Sequence, residues 1–348
     1  MKVLLVKMSS LGDVVHALPA VTEAAAASGA RFDWLVEEAF ADIPRLHPAV
    51  DEVIPVALRR WRKEIGRALR SAEWRALRSR LRAKQYDLVL DAQGLLKSAA
   101  MVALSHGPSA GFDRLSAREP IAARFYRRRY AVGRDAHAVE RLRCLFSQAL
   151  GYTLSEAPPD YGIQIDAPPT QAQDPFILFL HGSSWVTKQW PESFWTAVGD
   201  LAGEAGYTVR LPWGNEAERE VAQRIADTVP HATVLPALRL DELAGMLSRA
   251  AGAIGVDGGP SHLAVAAGTP TAMVYSATDP TRTGPWGGRV AVCAARYQCA
   301  PCFSKRCRLR PTAGDTPPCQ QTVEPAAVWR SLLEQIEQPR GRPQARPG

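Results

Sequence analysis

Short apolar runs, each ended by glycine or polar residues, recur along the chain and alternate with stretches of helical periodicity. Such runs predict buried strands, and the stretches between them predict helices. The predicted strands are Lys2–Val6, Phe32–Val36, a short one within His47–Val56, Tyr86–Asp91, Phe176–Leu180, Tyr207–Leu211, Thr233–Leu235, Ala251–Val256 and a run from Thr271. This alternation predicts parallel α/β sheets, in which ligands collect at the carboxyl ends of the strands.

The predicted helices fill the spaces between these strands. They are Asp13–Ala26, a basic region from Arg59 to Lys84, a segment through Lys97, His137–Leu150, one starting at Trp190-Pro191, one entered from Trp213-Gly214-Asn215, and Val323–Gln338. Proline, asparagine and serine at several of these starts are typical helix-entry residues.

Two alternating units flank Ser155–Pro175, which is proline-rich and polar and is therefore predicted to be a linker. A chain of 348 residues has material for two cores. We predict an N-terminal domain at 1–160, a C-terminal domain at 161–323, and a terminal helix with a disordered tail at 324–348. No apolar run reaches the roughly 18 residues of a membrane span, and Val3–Val6 is too short for a signal peptide. A cytoplasmic location is expected.

The stretch Ala251–Tyr275 predicts a strand, a glycine loop, a short helix and a second strand. Free N–H groups at the helix start favour an anion there, beside Gly258 and Gly259. Asp257 is placed to hold a sugar hydroxyl, and His262 to donate to a phosphate. The alternative is an ordinary turn that needs glycine for positive φ, with Asp257 capping the helix.

Polar residues also follow predicted strands in both halves of the chain. Ser10, Asp13 and Gln93 fall at strand ends in the first half, where Asp13 is a candidate general base. Ser183, Ser184 and Lys188 are candidates for binding a diphosphate in the second half, and Glu216 for accepting from sugar hydroxyls. Each has a plainer alternative: Asp13, Ser183, Ser184 and Glu216 as helix-start or turn residues, and Lys188 as a solvated surface lysine.

The formal charge of +7 is uneven. Arg59 to Lys84 carries eleven Lys/Arg against two acids, and a second basic cluster runs from Arg114 to Arg134. Such clusters favour an anionic partner, either nucleic acid, phospholipid or an acidic substrate, although a solvated arginine-rich helix face is the alternative. A nucleic-acid-binding protein would leave the second-half loops unexplained, and the chain lacks a recognisable reader motif.

Several chemistries are disfavoured because their motifs are missing. The chain has no Gly-Lys-Ser/Thr, no GxGxxG for a dinucleotide cofactor and no Asp-x-Asp for metal-chelated diphosphate. No cofactor is expected. Five of the six cysteines cluster at Cys293, Cys299, Cys302, Cys307 and Cys319. Reduced thiols are expected there, with a structural zinc site as the alternative.

Five motifs in order resemble the ADP-heptose:lipopolysaccharide heptosyltransferases of glycosyltransferase family 9, most closely the type I enzymes. They are KMSSLGDVVHALPA near the start, LDAQGLLKSA at Leu90–Ala99, GFDRLSAREPIAARFYRRRY at Gly111–Tyr130, LHGSSWVTKQWP at Leu180–Pro191, and GVDGGPSHLAVAAGTPTAMVYSATDP at Gly255–Pro280. The resemblance implies a GT-B fold with two Rossmann-like domains facing across a cleft. It also implies metal-independent, inverting transfer of L-glycero-D-manno-heptose from ADP-heptose, the co-substrate, to Kdo of Kdo2-lipid A.

The resemblance also implies roles for individual residues. Asp13 takes the place of the catalytic base and Lys188 assists catalysis. Donor contacts are expected from Ser183, Ser184, Lys188, Glu216, Leu238, Asp257, Gly258, Gly259 and His262. The family's threonines of the phosphate loop are serines here, and Gly258 stands where a threonine is expected.

The acceptor bears carboxylates and phosphates at the cytoplasmic face of the inner membrane, which suits the basic first-half face. Ser10, Arg59, Arg60, Arg62, Lys63, Gln93 and Arg118 are therefore predicted to bind it, with peripheral membrane contact. The cysteine-rich tail is more like the type II enzymes, which use a heptose acceptor and are the alternative.

Overall fold

The computed structural model describes residues 1–165, 174–309 and 316–339. Contacts divide the chain into two compact units, Met1–Gln164 and Ile165–Gly348, so the division falls four residues after the predicted boundary at 160. Much of the predicted linker, 166–173, and the predicted disordered tail from 340 onward lie outside the described residues.

The first unit is built on a parallel sheet of six strands within its described residues, in the order β3-β2-β1-β4-β5-β6. Its strands are β1 (Lys2–Val6), β2 (Arg31–Glu37), β3 (Val50–Val56), β4 (Leu88–Asp91), β5 (Ser109–Phe112) and β6 (Arg128–Tyr130). Its helices are α1 (Leu11–Val15), α2 (Leu18–Ser28), α3 (Asp42–Arg45), α4 (Leu58–Trp61), α5 (Ile65–Arg70), α6 (Ala72–Ala83), α7 (Leu96–Leu104) and α8 (Ala138–Leu150), with 3-10 turns at Glu38–Phe40 and Pro120–Phe125.

The predicted helix Asp13–Ala26 is wrong as one continuous element, because α1 and α2 are separate. Pro19 lies in the first turn of α2, where its missing N–H costs nothing. In a continuous helix its ring would clash with the carbonyl of Val15, four residues earlier. The break leaves α1 as a short helix that carries Asp13.

The second unit repeats the arrangement, with six described parallel strands in the order β12-β11-β10-β7-β8-β9. Its strands are β7 (Phe176–Leu180), β8 (Thr208–Leu211), β9 (Ala232–Val234), β10 (Gly252–Val256), β11 (Thr271–Tyr275) and β12 (Val290–Ala294). Its helices are α9 (Glu192–Glu204), α10 (Glu216–Thr228), α11 (Leu240–Arg249), α12 (Gly259–Ala266), α13 (Pro280–Thr283), α14 (Pro318–Gln321) and α15 (Pro325–Glu337), with a 3-10 turn at Val186–Lys188.

The terminal helix α15 belongs to the second unit's core. Val328, Trp329 and Leu332 are buried in the same apolar cluster as the β7 and β10 side chains. Gly252 on β10 makes space for the Leu332 side chain, since a Cβ at Gly252 would lie 3.0 Å from Leu332 Cδ1. The predicted segment 324–348 is therefore not separate from the second domain over its described part.

Both sheets share one connectivity. Counted from the first strand of each unit, the strand order is 3-2-1-4-5-6, and the direction of winding reverses between the first and fourth strands. The reversals lie between β1 and β4 in the first unit and between β7 and β10 in the second. Open parallel sheets bind ligands at this point, outside the strands' carboxyl ends. No helix in the described ranges is long and apolar enough to cross a membrane.

Candidate functional site

The loops after β1 and β4 are bonded to each other at the reversal point of the first sheet. The Gln93 side chain accepts a hydrogen bond from the Met8 N–H at 2.8 Å and donates to Ser9 Oγ at 3.3 Å. Lys97 Nζ also donates to Ser9 Oγ, at 3.1 Å. Gln93 thus follows β4 as the sequence predicted, but its amide holds the loop that leads into α1, the helix that carries Asp13.

Asp13 lies in the first turn of α1 with its carboxylate about two-fifths exposed. Its Oδ2 accepts from the N–H and the hydroxyl of Ser10, at 2.7 and 2.8 Å. Asp13 thus has the helix-capping role that the sequence analysis gave as its alternative. The same contact engages the Ser10 hydroxyl. The other oxygen, Oδ1, lies 3.7 Å from the ammonium of the buried Lys7.

The surroundings of Asp13 keep it ionised. Burial acts to raise the pKa of the Asp13 carboxyl, but the Lys7 charge and the Ser10 hydrogen bonds outweigh it, and the pKa is lowered. A carboxylate that is charged, fixed and partly exposed is suited to accept a proton from an alcohol. Lys7 was not predicted as a site residue; its place directly after β1 was the available signal.

Basic side chains converge on the neighbouring Lys97, which sequence reasoning missed. Loss of water around the ammonium lowers the pKa of Lys97, and the charges of Arg59, Arg118 and Arg62 lower it further against the opposing effect of Glu37. The four cations therefore share one region at the carboxyl side of the first sheet. A carboxylate or phosphate placed there would gain from all of them.

The predicted basic residues are not equivalent. Arg59 packs its guanidinium over the Phe40 ring at 4.7 Å. Arg60 is paired with Glu38 and Glu73, at 3.2 and 3.0 Å, so its charge is engaged within the protein. Arg62, Lys63 and Arg118 are exposed.

In the second unit, the ends of β7 and β10 are joined through an ion pair. Lys188 Nζ lies 2.6 Å from Asp257 Oδ2, and the hydroxyl of Thr278 donates to the same oxygen. His262 Nε2 lies 3.4 Å from Oδ1. Burial acts to raise the pKa of Asp257, but the His262 hydrogen bond and the Lys188 charge hold it well below its usual range. Asp257 therefore positions Lys188. The sequence analysis did not identify Thr278 as a residue of this site.

The start of α12 follows directly. Gly258 is the N-cap residue with φ near −157°, an extended conformation that any residue adopts, and no side chain caps the helix. The alternative of a positive-φ turn capped by Asp257 is therefore wrong. A side chain is sterically excluded at Gly255 on β10, because a Cβ there would lie 2.1 Å from Ser261 Oγ. The first N–H groups of α12, including that of Gly259, have no acceptor within the helix.

A cavity of about 570 Å³ lies beside the loop after β7. Polar residues on its wall include Ser183, Ser184, Gln189, Asn215 and Glu218. Ser183 Oγ also accepts from the Trp185 N–H at 3.3 Å, which is the turn-capping role left open above.

Glu218 lines this cavity, whereas the predicted Glu216 does not. The Glu218 carboxylate accepts from the Gly214 N–H at 2.8 Å and lies against Gly182, where a Cβ would come within 2.6 Å of it. Glu216 is paired with Arg219 at 2.6 Å and is largely exposed. Leu238 is half-buried in the connection between β9 and α11. Gly182 and Gly214, which lie against the Glu218 carboxylate, were the signal in the sequence that could have identified Glu218.

All six cysteines are free thiols. Cys299 and Cys302 are exposed, Cys293 and Cys307 half-buried, and Cys319 buried. Burial raises the pKa of Cys319, and Cys299, Cys302 and Cys307 raise it further, so these thiols share one neighbourhood. Within the described ranges, no group of three or more His, Cys, Asp or Glu side chains has an arrangement that could hold a metal ion.

Two parallel α/β sheets of this connectivity, each with polar loops at its reversal point, form the GT-B fold that the chain shares with the glycosyltransferase WaaC of Escherichia coli. The chain belongs to glycosyltransferase family 9, the heptosyltransferases, whose model matches residues 74–313. The protein is therefore a glycosyltransferase.

Individual relatives agree. Lipopolysaccharide heptosyltransferase 1 of Pseudomonas aeruginosa is 51% identical over 321 residues, which cover 90% of each chain. The structure of Escherichia coli heptosyltransferase WaaC with ADP has a TM-score of 0.84 and 40% identity, covering 96% of this chain and 100% of that one. The same enzyme with ADP-2-deoxy-2-fluoro heptose gives a TM-score of 0.81 at 40% identity, with 96% and 99% coverage.

Proposed function

We propose that the protein transfers L-glycero-D-manno-heptose from ADP-heptose to Kdo of Kdo2-lipid A, with inversion and without a metal ion, in lipopolysaccharide inner-core synthesis. Its relation to the P. aeruginosa enzyme supports heptose transfer. The E. coli structures with ADP and with an ADP-heptose analogue support the donor. The observation that carries the proposal is the Lys188–Asp257 pair beside the open start of α12.

The donor's diphosphate would bind where Lys188 and the α12 N–H groups supply positive charge. Asp257, itself held by the Thr278 hydroxyl, already fixes the Lys188 ammonium in one place, so little reorganisation accompanies the reaction. As the bond to the anomeric carbon breaks, the diphosphate gains negative charge, which the lysine and the helix start stabilise. A lysine in this place supplies the charge that a metal ion supplies in other transferases.

The donor's remaining polar groups would meet the cavity beside the β7 loop. Ser183 and Ser184 offer hydroxyl groups, and Glu218 offers a carboxylate oxygen to a sugar or ribose hydroxyl. Gly258, which has no side chain, would offer the donor only its backbone N–H. The proposal assigns the acidic donor contact to Glu218 in place of Glu216.

The acceptor would be activated by Asp13. Its ionised carboxylate takes the proton of the Kdo hydroxyl as the oxygen attacks the anomeric carbon from the face opposite ADP, which inverts the configuration. Lys97, Arg59, Arg62 and Arg118 would bind the acceptor's carboxylates and phosphates. Such an acceptor lies at the cytoplasmic face of the inner membrane, so we propose a cytoplasmic protein in peripheral contact with that membrane.

Product analysis tests this function. The purified protein is incubated with ADP-heptose and an acceptor ending in Kdo, or one carrying Kdo plus one heptose, with and without a chelator. We expect heptose to be added to the Kdo-terminated acceptor, at an unchanged rate with the chelator and with inverted anomeric configuration by NMR. Preference for the heptose-bearing acceptor would indicate the type II reaction instead. Protein carrying Asp13→Asn, purified in parallel, controls for contaminating transferases.

A further inference from the structure

A second lysine lies beside Lys188 in the second unit. Lys305 belongs to the connection between β12 and α14, and its Nζ lies 5.4 Å from the centre of the Trp185 indole ring. The Nζ of Lys188 lies 4.8 Å from the same centre. The two ammonium groups are therefore within about 10 Å of each other, roughly the Debye length at 0.1 M salt, so that an anion bound at one is attracted by both.

The backbone that leads to Lys305 is strained. Phe303 has a φ of 50° and is the one non-glycine residue of the described ranges in the left-handed region. Bulky residues keep this conformation only where their surroundings impose it. Burial of the ring is not the cause, because Phe303 is 50% exposed. The cause therefore lies in contacts of the backbone.

Two hydrogen bonds hold this turn against the loops of the site. The Phe303 N–H donates to the carbonyl of Ala277, in the loop after β11, at 2.8 Å. The buried Thr187, next to Lys188 in the chain, donates its hydroxyl to the carbonyl of Ser304 at 2.6 Å. The strained turn is therefore fixed relative to the loop that carries Lys188.

The two lysines differ in how their charges are balanced. Lys188 is paired with Asp257 at 2.6 Å. Lys305 is exposed, and no carboxylate of the described residues pairs with it. A cation–π contact at an exposed site is weak, so the Lys305 charge remains available to an anionic ligand. An ADP-sugar carries its negative charge on the diphosphate, which is therefore the group that a cation here would bind.

We propose that Lys305 is a further donor-binding residue, which contacts the diphosphate of the ADP-sugar together with Lys188. The inference rests on the proposed function for the identity of the donor. Trp185 keeps the two ammonium groups near each other, and the turn at Phe303 holds the second one in place. Lys305 adds positive charge where the diphosphate becomes more negative as the bond to the sugar breaks.

Calorimetry of the full chain with ADP tests this contact. Lys305→Met, which keeps a long side chain but removes its charge, is expected to bind ADP about tenfold more weakly, as for a lost charge-assisted hydrogen bond. Lys305→Arg keeps the charge and should restore most of the affinity. Arg306→Gln, at an exposed cation of the same segment, is the matched control and should bind ADP as the wild type does.

Three results would overturn the role of Lys305. One is wild-type affinity for ADP in Lys305→Met. Another is an equal loss in Arg306→Gln, because that would reflect the general charge of the segment. The third is a loss in Lys305→Arg as large as in Lys305→Met, because that would reflect packing of the side chain.

Turnover separates this inference from the proposed function. With the Kdo acceptor, Lys305→Met should lower kcat/KM for ADP-heptose about tenfold and leave KM for the acceptor unchanged. A change confined to the acceptor KM would also overturn the inference. If the wild type transfers no heptose to that acceptor, the proposed function fails. The ADP affinities of the variants would still decide whether Lys305 binds a nucleoside diphosphate.

Discussion

In the proposed mechanism, the chemistry depends most directly on Asp13. Asp13→Asn keeps the size of the side chain and a partner for Ser10, but removes the proton acceptor. We expect kcat to fall about 10²- to 10⁴-fold, the usual contribution of a positioned general base. The affinity for ADP, measured by calorimetry, should be unchanged because the proposed donor contacts lie in the second unit. A variant with near-wild-type kcat and normal ADP affinity would remove Asp13 from the catalytic role.

Lys7 should set the pH range over which Asp13 works. Its ammonium, 3.7 Å from Asp13 Oδ1, lowers the pKa of that carboxyl, so Lys7→Met should raise the pKa. A base with a higher pKa becomes protonated at higher pH as the solution is acidified. The acid limb of kcat/KM against pH should therefore move upward in Lys7→Met and stay near its place in Lys7→Arg. An unmoved limb in Lys7→Met would contradict the electrostatic role.

Glu218 and Glu216 form a matched pair. Glu218→Gln should raise KM for ADP-heptose, by about tenfold for a lost charge-assisted hydrogen bond, because Glu218 lines the cavity. Glu216→Gln should leave KM unchanged, since that side chain is exposed and bonded to Arg219. Steady-state kinetics with varied donor decides between them. The reverse pattern would restore the sequence-based choice of Glu216.

The difference between these glutamates shows what sequence reasoning could reach at this scale. The helix-start position predicted an acidic donor contact, but two glutamates lie in the first turn of α10. Which one faces the cavity depends on Gly182, a residue on another element. Lys97 and Thr278 were missed for the same reason, because their roles come from partners distant in sequence.

Strands with strong apolar runs were predicted well, and β1 and β7 have the predicted bounds. The strands β5, β6 and β12 were not predicted. β6 is a three-residue edge strand of two arginines and a tyrosine, without an apolar pattern. β5 includes Gly111, whose missing side chain makes room for the Tyr126 ring, where a Cβ would approach within 2.6 Å. Whether these segments form strands depends on packing between residues distant in sequence, which the local pattern of apolar and polar residues does not reveal.

The helix α15 should contribute strongly to the stability of the second unit. Leu332 is fully buried against the sheet, beside Gly252. Leu332→Ala should lower the free energy of unfolding by about 2–5 kcal/mol, from lost burial and the cavity that remains. Arg330→Ala, at an exposed position on the same helix, should change it by less than about 0.5 kcal/mol. Chemical denaturation checks both. Equal stability of Leu332→Ala and wild type would mean that the helix is not part of this core.

Across the whole chain, the excess positive charge is not spread evenly, and folding neutralises part of it. Arg80 and Lys84 of the basic stretch pair with Glu52, and Lys84 also pairs with the buried Asp33. These acids lie outside the stretch itself, so the local excess counted from the sequence overstates the charge left for a partner. Arg62, which is exposed and close enough to Lys97 to lower its pKa, and the exposed Lys63 next to it in the chain are the ones to test for binding an anionic acceptor.

Arg62→Gln with Lys63→Gln tests that charge without disturbing the fold, since Arg60 is tied to two glutamates and Arg59 packs on Phe40. For a membrane-embedded acceptor, the double variant should raise KM roughly thirtyfold at low salt, because each of the two cations near an anionic surface contributes about 1 kcal/mol. Wild-type KM should rise with salt as screening grows, and that rise should be smaller in the variant. Arg330→Gln, an exposed cation of the second unit, should behave as wild type does. An unchanged KM and salt dependence in the double variant would place the acceptor's anions elsewhere.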